Sequence, residues 1–138
     1  MTDTLSRKAR SERMALIHNK DTKPEMTVRK LIHRLGYRYR LHSQSLPGKP
    51  DLIFPSRNKV IFVHGCFWHR HQDSSCRLAR MPKSRLGFWR PKLERNRLRD
   101  GENIKKLGVM GWKPLIIWEC QLTNLALLSE QVRSFLDR

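Results

Sequence analysis

Three cysteines and a histidine are spaced as the ligands of one metal ion. Cys66, His71 and Cys76 lie within eleven residues of one another, and Cys120 follows an apolar run further along the chain. Thiolate and imidazole are the ligands of structural zinc, which takes them in tetrahedral Cys₃His sets. The pattern predicts a zinc site that stabilises a polar loop lacking a hydrophobic core of its own. Three unrelated thiols beside a surface histidine are the alternative, and His69 is an alternative ligand.

A carboxylate and a histidine on neighbouring apolar segments indicate a second kind of chemistry. Asp51 follows Pro50 at the start of one segment, and His64 ends the next segment thirteen residues later. In metal-dependent nucleases a carboxylate so placed binds Mg²⁺, which activates water and neutralises charge that develops on the phosphate. The acid-x-lysine motif that often accompanies Pro-Asp is absent, because residues 62–64 read Phe-Val-His. The Pro-Asp pair by itself also fits an ordinary turn.

Further groups suited to proton transfer lie near these two residues in the sequence. His64 and His69 flank the entry to the same loop, and a neutral imidazole accepts a proton near pH 7. Glu25, at a helix N-terminus, and Asp100, in mid-helix, are the candidate second carboxylates. By its position alone, Asp100 fits an exposed helix charge among arginines.

Two aromatic pairs lie in polar, basic surroundings. Phe67 and Trp68 fall in the loop of histidines and cysteines, and Phe88 and Trp89 fall in the basic stretch that follows. Such side chains unstack a duplex when they are inserted between base steps, or stack on single-stranded bases. The alternative is that they cover the zinc site or the sheet.

The charge of the chain indicates an acidic partner. It has 138 residues, with 29 Lys and Arg against 12 Asp and Glu, and a net charge of +17. Nucleic acid fits this charge better than acidic lipid, since no basic amphipathic membrane helix is evident. Nine basic residues and one acid fall between Arg77 and Arg99, which favours phosphate binding over a solvated face. No apolar run approaches the ~18 residues that span a bilayer, and three cysteines fit a reducing cytosol better than a disulfide framework.

Apolar periodicity predicts the elements that position these residues. Thr22 is the predicted N-cap of a helix that ends before Gly36, and the apolar run up to His64 predicts a strand buried on both faces. The order α-α-β-β-β-loop-α-β-α indicates an α/β fold, a mixed central sheet flanked by helices on both faces. The predicted segments are helix 6–18, helix 24–35, strand 37–41, strand 51–54, buried strand 59–64, loop 65–91, helix 92–107, buried strand 113–118 and helix 125–136.

The chain resembles the very-short-patch repair (Vsr) endonucleases. Residues 48–71 carry the Pro-Asp pair and the highly specific block His-Gly-Cys-Phe-Trp-His, and residues 111–120 read Gly-Trp-Lys-Pro-Leu-Ile-Ile-Trp-Glu-Cys. The matching N-terminal segments are residues 10–14 and 21–25. Because the resemblance covers nearly the whole chain, it implies a single domain over residues 1–138, with a restriction-endonuclease-like fold and a structural zinc.

The resemblance implies a catalytic Mg²⁺ and the residues around it. Asp51 is the direct metal ligand, and the backbone carbonyl of Val63 completes the site. His64 and Asp100 hold water bound to the metal. Glu25 orients His64.

The resemblance also implies the remaining roles. His69 is the general acid or base. Residues 1–20 form a basic helix that contacts DNA, from which Met14 meets the mismatch through the minor groove. The implied zinc ligands are Cys66, His71, Cys76 and Cys120. The aromatic wedge that enters from the major groove consists of Phe67, Trp68 and Trp89.

The implied activity is a single cut in duplex DNA, on the 5′ side of the thymine of a T:G mismatch left by deamination of 5-methylcytosine. A bacterial monomer in the cytoplasm, associated with the nucleoid, fits this activity, with mismatch-repair proteins of the MutL and MutS type as partners. The chain departs from the family pattern in several places, including the poorly matching region 72–90. Val63 stands where a threonine is expected, and the segment between His71 and Cys76 is longer than usual.

Two other functions stay open on the sequence. A non-catalytic zinc-containing module would bind DNA without needing Asp51, because a carboxylate beside phosphate repels DNA unless a cation intervenes. A restriction- or homing-type endonuclease on the same fold would cut both strands. Since a monomer with one metal centre nicks one strand, the oligomeric state separates this last possibility from a nicking enzyme.

Overall fold

The computed structural model of the protein describes residues 22–41, 45–81 and 83–138. The helix predicted over residues 6–18, and Met14 within it, lie outside the described residues. In the described part, no helix is long and apolar enough to cross a membrane.

Three α-helices and a four-stranded mixed sheet make up the described fold. The elements in chain order are α1 (Lys23–Arg34), β1 (Arg40–Leu41), β2 (Leu52–Phe54), β3 (Lys59–His64), α2 (Leu86–Val109), β4 (Lys113–Trp118) and α3 (Leu125–Leu136). The strands lie in the order β1-β2-β3-β4, with the first three antiparallel and β4 parallel to β3. The predicted mixed sheet is therefore confirmed.

Helix α1 begins and ends where its sequence indicates. The Thr22 hydroxyl accepts a hydrogen bond from the backbone N–H of Glu25 at 3.4 Å, and Pro24 lies in the first turn. After Leu35 the chain turns through Gly36, whose φ of +100° suits glycine. Glu25 is thereby held at the first turn of α1, where its carboxylate faces the end of the sheet that carries the site.

The sheet has a hydrophobic core on each face. The core shared with α1 and α3 consists of Val28, Leu31, Ile32, Leu52, Phe54, Ile61, Ile117, Leu128, Val132 and Leu136. The core shared with α2 consists of Ile53, Val60, Phe62 and Leu107. Successive side chains of β3 thus point into opposite cores, which confirms that β3 is buried on both faces and that helices flank the sheet on both sides.

Both strands at the sheet's edges differ from the sequence prediction. The sequence predicts a buried β4, but only Ile117 along it is fully buried, because β4 pairs with β3 alone among the strands that the structure describes. Pro114 is tolerated there since an edge strand can lack a donor on its free side. Within the described residues, which stop at Leu41 on this side of a gap at 42–44, strand β1 pairs through Arg40 and Leu41, and Tyr37 and Tyr39 pack against the core of α1 and α3.

Helix α2 begins at Leu86, six residues before the predicted start at residue 92, so the predicted loop 65–91 is too long. Its N-cap, Arg85, has a φ of +60° and makes no side-chain capping bond, so the sequence carries no start signal there. Pro91 inside the helix also favours a later start, because proline suits the first turn and removes an interior donor. Phe88 and Trp89 consequently lie on the first turns of α2.

The parallel pairing of β3 and β4 brings two loops together. His64 is paired with Trp118, so both strands end at the same edge of the sheet. The loop after β3 carries two histidines and two cysteines, and the segment after β4 carries Glu119 and Cys120. Residues more than fifty positions apart in sequence meet at this edge for that reason.

Candidate active site and metal centre

One open cleft of about 740 Å³ lies at this edge and collects the predicted catalytic residues. Its walls carry the five side chains that the sequence singles out, which are Glu25, Asp51, His64, His69 and Asp100. They come from α1, the start of β2, the end of β3, the following loop and α2. The cleft is thus built from most of the fold and does not depend on a single loop.

Asp51 is fixed by β3 through its backbone and its side chain. Its backbone N–H donates to the carbonyl of Ile61 at 3.1 Å, and its Oδ2 accepts a hydrogen bond from the N–H of Val63 at 2.7 Å. Burial raises the pKa of Asp51 to about 7, and the Glu25 carboxylate adds to the rise against the opposing effect of the Val63 N–H. A carboxylate in such surroundings gains from a nearby cation.

His64 lies at the floor of the cleft as a neutral imidazole. It is 5% exposed, and its ring stacks on that of His69 with 3.8 Å between centroids and 9° between planes. The pKa of His64 is lowered to about 3, chiefly by burial and also by the neighbouring His69, while Asp100 opposes the shift. Its Nδ1 is buried and has no hydrogen-bond partner among the described residues. Such an atom is suited to binding a water molecule or an ion.

His69 and Asp100 form a hydrogen-bonded pair across the cleft. Nδ1 of His69 lies 2.6 Å from Oδ2 of Asp100, with both side chains about a quarter to a third exposed. The carboxylate favours the tautomer that carries its proton on Nδ1, so Nε2 keeps a lone pair for proton transfer. The interpretation of Asp100 as an ordinary exposed helix charge is therefore wrong.

Glu25 faces Asp51 and is anchored by an arginine of its own helix. Nη2 of Arg29 donates to Oε2 of Glu25 at 3.0 Å, and both side chains are about 10% exposed. The cation offsets part of the repulsion between the two neighbouring carboxylates. The role of Glu25 in orienting His64 stays a prediction.

The donors around Asp51 fit a magnesium ion. Mg²⁺ prefers oxygen ligands and is commonly held by one or two carboxylates together with water and substrate phosphate. Asp51 and Glu25 supply such oxygens in one cleft, and the buried Nδ1 of His64 lacks a protein partner. The residues present therefore suit the divalent metal that the sequence predicts.

The three cysteines converge with His71 at a second site. Ligand atoms of Cys66, His71, Cys76 and Cys120 all lie within 4.8 Å of one another. The Cys120 backbone N–H donates to Sγ of Cys66 at 3.4 Å, and Sγ of Cys120 lies 3.5 Å from Nδ1 of His71. All three cysteines are free thiols. His71, whose ring stacks on Trp118 at 4.2 Å, belongs to this group, whereas His69 lines the cleft around Asp51.

The chemistry of this donor set fits zinc. A tetrahedral ion with Zn–S distances of about 2.3 Å places its ligand atoms within roughly 4 Å of one another, close to the spread found here. Cys66 is fully buried, and burial raises the pKa of its thiol to about 12. Thiolates so crowded and buried require a cation to be stable. The site also joins the loop after β3 to the segment after β4.

An aromatic cluster adjoins the cleft around Asp51. The ring of Trp68 lies 5.2 Å from Phe67 and 5.8 Å from Trp89, and Phe88 lies 5.0 Å from Trp89. Nζ of Lys92 lies 5.7 Å from the ring centroids of Trp68 and Phe88. Phe88, half exposed, is therefore part of the cluster together with the three aromatics of the predicted wedge. We call Phe67, Trp68, Phe88 and Trp89 the aromatic cluster.

Several residues line the cleft that the predicted site did not include, and three of them carry polar side chains of interest. Asn103 lies one helical turn after Asp100, a spacing that places both on one face of α2. Glu119 directly follows β4, at the edge of the sheet where His64 ends β3, so the parallel pairing would have located it. Lys49 stands two residues before Asp51, and its position depends on a turn that composition alone does not fix.

The fold is shared with the catalytic domain of a DNA-cutting enzyme. The solved structure of the Homing Endonuclease I-Bth0305I catalytic domain superposes with a TM-score of 0.56, over 83% of this chain and 94% of that domain. Sequence identity is 16%, so this likeness concerns the fold alone.

Sequence comparison gives the family. The profile of "DNA mismatch endonuclease Vsr" matches residues 2–76. The DNA mismatch endonuclease Vsr of Escherichia coli is 37% identical over 95% of this chain and 82% of its own length. The type II nicking enzyme V.XorIIP of Xanthomonas oryzae pv. oryzae is 48% identical over 99% of this chain and 98% of its own length. The type II nicking enzyme V.NmeAIP of Neisseria meningitidis is 41% identical over 96% of this chain and 92% of its own length.

The chain belongs to the Vsr family of DNA mismatch endonucleases. It is thus an enzyme that acts on DNA and nicks at mismatches. The family predicted from the sequence resemblance is therefore confirmed. The alternative of a DNA-binding module without catalysis is excluded.

Proposed function

We propose that the enzyme cuts duplex DNA once, on the 5′ side of the thymine of a T:G mismatch that arises from deamination of 5-methylcytosine. One observation carries the proposal. Trp68 lines the catalytic cleft and also packs in the aromatic cluster, so a base step opened by the cluster lies beside the catalytic residues. Reading the mismatch and cutting the strand then take place at adjoining surfaces.

The physical case for a mismatch rests on the cost of opening the duplex. A wobble pair stacks less well than a matched pair, so inserting Phe67, Trp68 and Trp89 costs less there. Met14 meets the same step from the minor groove. The thymine methyl group offers an apolar contact in the major groove that cytosine lacks. The family resemblance selects T:G among the weakly stacked pairs.

Mg²⁺ is the catalytic metal in this proposal, held by Asp51 and the backbone carbonyl of Val63. When bound, it activates water and offsets charge that develops on the phosphate. The Val63 N–H fixes the Asp51 carboxylate for this task. His64 and Asp100 bind water beside the metal, His64 through its buried Nδ1.

Proton transfer falls to His69. Asp100 holds Nδ1 of His69 and stabilises the imidazolium once Nε2 has taken a proton. Stacking on the neutral His64 keeps the His69 ring in place. Glu25, anchored by Arg29, fixes the other wall of the cleft and orients His64.

The remaining parts of the proposal concern zinc and partners. Zinc at Cys66, His71, Cys76 and Cys120 joins the loop after β3, which carries His69 and Trp68, to the segment after β4. The enzyme acts as a monomer, since one cleft cuts one strand, and works in the bacterial cytoplasm on nucleoid DNA. Mismatch-repair proteins of the MutL and MutS type are its expected protein partners.

A panel of duplexes tests the substrate. T:G, A:C, G:A and fully paired duplexes of identical flanking sequence are incubated with enzyme and Mg²⁺ at one salt concentration, in several flanking contexts. We expect the T:G duplex to be cut fastest, on the thymine strand alone. Equal cutting of the paired duplex contradicts the proposal. Cutting of both strands together supports the restriction- or homing-type alternative.

A further inference from the structure

We propose that Lys49 binds the reacting phosphodiester in the cleft and stabilises the charge that develops on it. This inference rests on the proposed role of the cleft around Asp51 as the active site. It assigns to Lys49 the positive charge that is missing from residues 62–64, where the sequence has neither an acid nor a lysine.

The backbone at Lys49 is held in a conformation that favours glycine. Its φ is +49°, in the left-handed region that a side chain with a Cβ rarely adopts. Its N–H donates to the carbonyl of Leu46 at 3.1 Å, which closes a tight turn. Glycine at this position would form the same turn with less strain. The lysine side chain therefore contributes nothing to the turn itself.

The same turn is packed firmly against the wall of the cleft. A Cβ built on the preceding Gly48 would lie 3.1 Å from both the Phe62 ring and Cβ of Asn103. Gly48, with a φ of +77°, thus lets the turn approach β3 and α2 closely. Lys49 is presented on a fixed backbone, as a group that acts on a substrate needs to be.

The side chain of Lys49 is available to a ligand. It is exposed and lines the cleft, and its ammonium makes no hydrogen bond or ion pair with the described residues. Two residues of fully extended chain span at most about 7 Å, so the Cα of Lys49 lies within that distance of the Cα of Asp51. A flexible four-carbon stem lets its ammonium reach the space in front of the Asp51 carboxylate.

The excess of carboxylates in the cleft favours a cationic side chain at this position. Four carboxylates line it, those of Glu25, Asp51, Asp100 and Glu119, against the two ammonium groups of Lys23 and Lys49. A phosphodiester that enters is repelled by the carboxylates, and its negative charge grows during displacement. Lys49 is the lysine nearest in the chain to the proposed metal ligand, two residues before it. Its ammonium offers three donors to phosphate oxygens.

Single-turnover nicking of the T:G duplex tests the inference. Lys49→Met should slow nicking about 10²-fold, the usual effect of removing one electrostatic donor to a transition state. Lys49→Arg, which keeps the charge, should retain a rate within about tenfold of the original enzyme. Lys113→Met is the matched control, because Lys113 begins β4 at the end of the sheet opposite His64. It should leave the nicking rate unchanged.

A glycine variant separates a catalytic from a structural role. Lys49→Gly relieves the backbone strain, so we expect a higher Tm together with a nicking rate as low as that of Lys49→Met. Asn58→Gly is its control, since Asn58 has a φ of +54° in the turn before β3 and lies outside the cleft. That variant should raise Tm and keep the nicking rate.

If the Lys49→Met or the Lys49→Gly enzyme nicks within about threefold of the original rate, the inference is overturned. The Asp51→Asn enzyme, measured in parallel, distinguishes failure of the role of Lys49 from failure of the cleft as the active site. If Asp51→Asn is inactive while Lys49→Met is fully active, the cleft is the active site and Lys49 has no part in it. If Asp51→Asn also nicks at the original rate, the cleft itself is not the active site and the inference falls with it.

Discussion

Oδ2 of Asp100 lies 2.6 Å from Nδ1 of His69, although the two residues are separated by 31 positions in the chain. One belongs to the middle of α2 and the other to the loop after β3. Their hydrogen bond fixes the orientation of the imidazole and leaves the lone pair of Nε2 for the proton transfer that we propose. It also joins the helix that carries Trp89 to the loop that carries Trp68.

Asp100→Asn should slow nicking by tenfold or more without weakening the binding of mismatched DNA. The amide still accepts the Nδ1 hydrogen bond, but it no longer stabilises the charged imidazolium. His69→Ala should slow nicking by roughly 10²–10⁴-fold, the range for loss of a general acid or base. Because the two residues act as one unit, the double variant should be hardly slower than His69→Ala. Single-turnover rates of the four proteins measure this coupling.

Glu102→Gln controls for the loss of a negative charge on the same helix. Glu102 is exposed and does not line the cleft, so its replacement should leave the rate unchanged. Fully additive losses in the double variant would show that Asp100 and His69 act independently.

From the proposed zinc site we expect about one equivalent of tightly bound zinc per chain in protein purified without added metal. Cys120→Ala should lower the free energy of unfolding by at least about 3 kcal/mol, because the metal links two loops and its binding energy contributes to folding. Metal analysis and urea denaturation of the variant provide the two measurements.

His71→Ala and His33→Ala form a matched pair for the same site. His71 belongs to the ligand group, whereas His33 is exposed on the last turn of α1. We expect zinc to be lost from the first variant and kept by the second. An intramolecular disulfide between any two of the three cysteines in the native protein would contradict the zinc site.

Trp68→Ala should weaken binding of a mismatched duplex about 10- to 100-fold and binding of a matched duplex far less. The selective loss is expected because stacking on the aromatic face offsets the cost of opening the mismatched step. Equilibrium titrations of both duplexes, with tryptophan fluorescence as one readout, give the two affinities. Met110→Ala, which truncates an exposed apolar side chain at the far end of α2, should change neither. Equal losses on both duplexes would mean that Trp68 serves packing alone.

Local sequence patterns predict the elements whose limits depend on nearby residues, such as helix caps and apolar runs. The cap at Thr22 and the continuous apolar run of β3 fixed α1 and the central strand, and both are confirmed. The start of α2 was missed because Arg85 offers no side-chain cap and Pro91 resembles a helix start. The burial of β4 was overestimated, since a sequence does not show that a strand has only one neighbour.

The candidate site was predictable in its residue types and less so in its contacts. Cys120 could be grouped with Cys66 because ligand chemistry restricts the choice, even across 54 positions. Asp100 was interpreted as a surface charge from its neighbours along the helix, and only the packing of α2 on the sheet brings it to His69. The same packing places Asn103 and Lys49 in one cleft.

The most direct measurement compares nicking and binding by Asp51→Asn on one T:G duplex. Asn keeps the size of the side chain and removes the charge that holds the metal, while the aromatic cluster and the basic surface remain. We expect nicking in Mg²⁺ to be abolished and the affinity for the mismatch to stay within about threefold of the original protein. Nicking that continues at a substantial rate would contradict the assignment of this cleft as the active site.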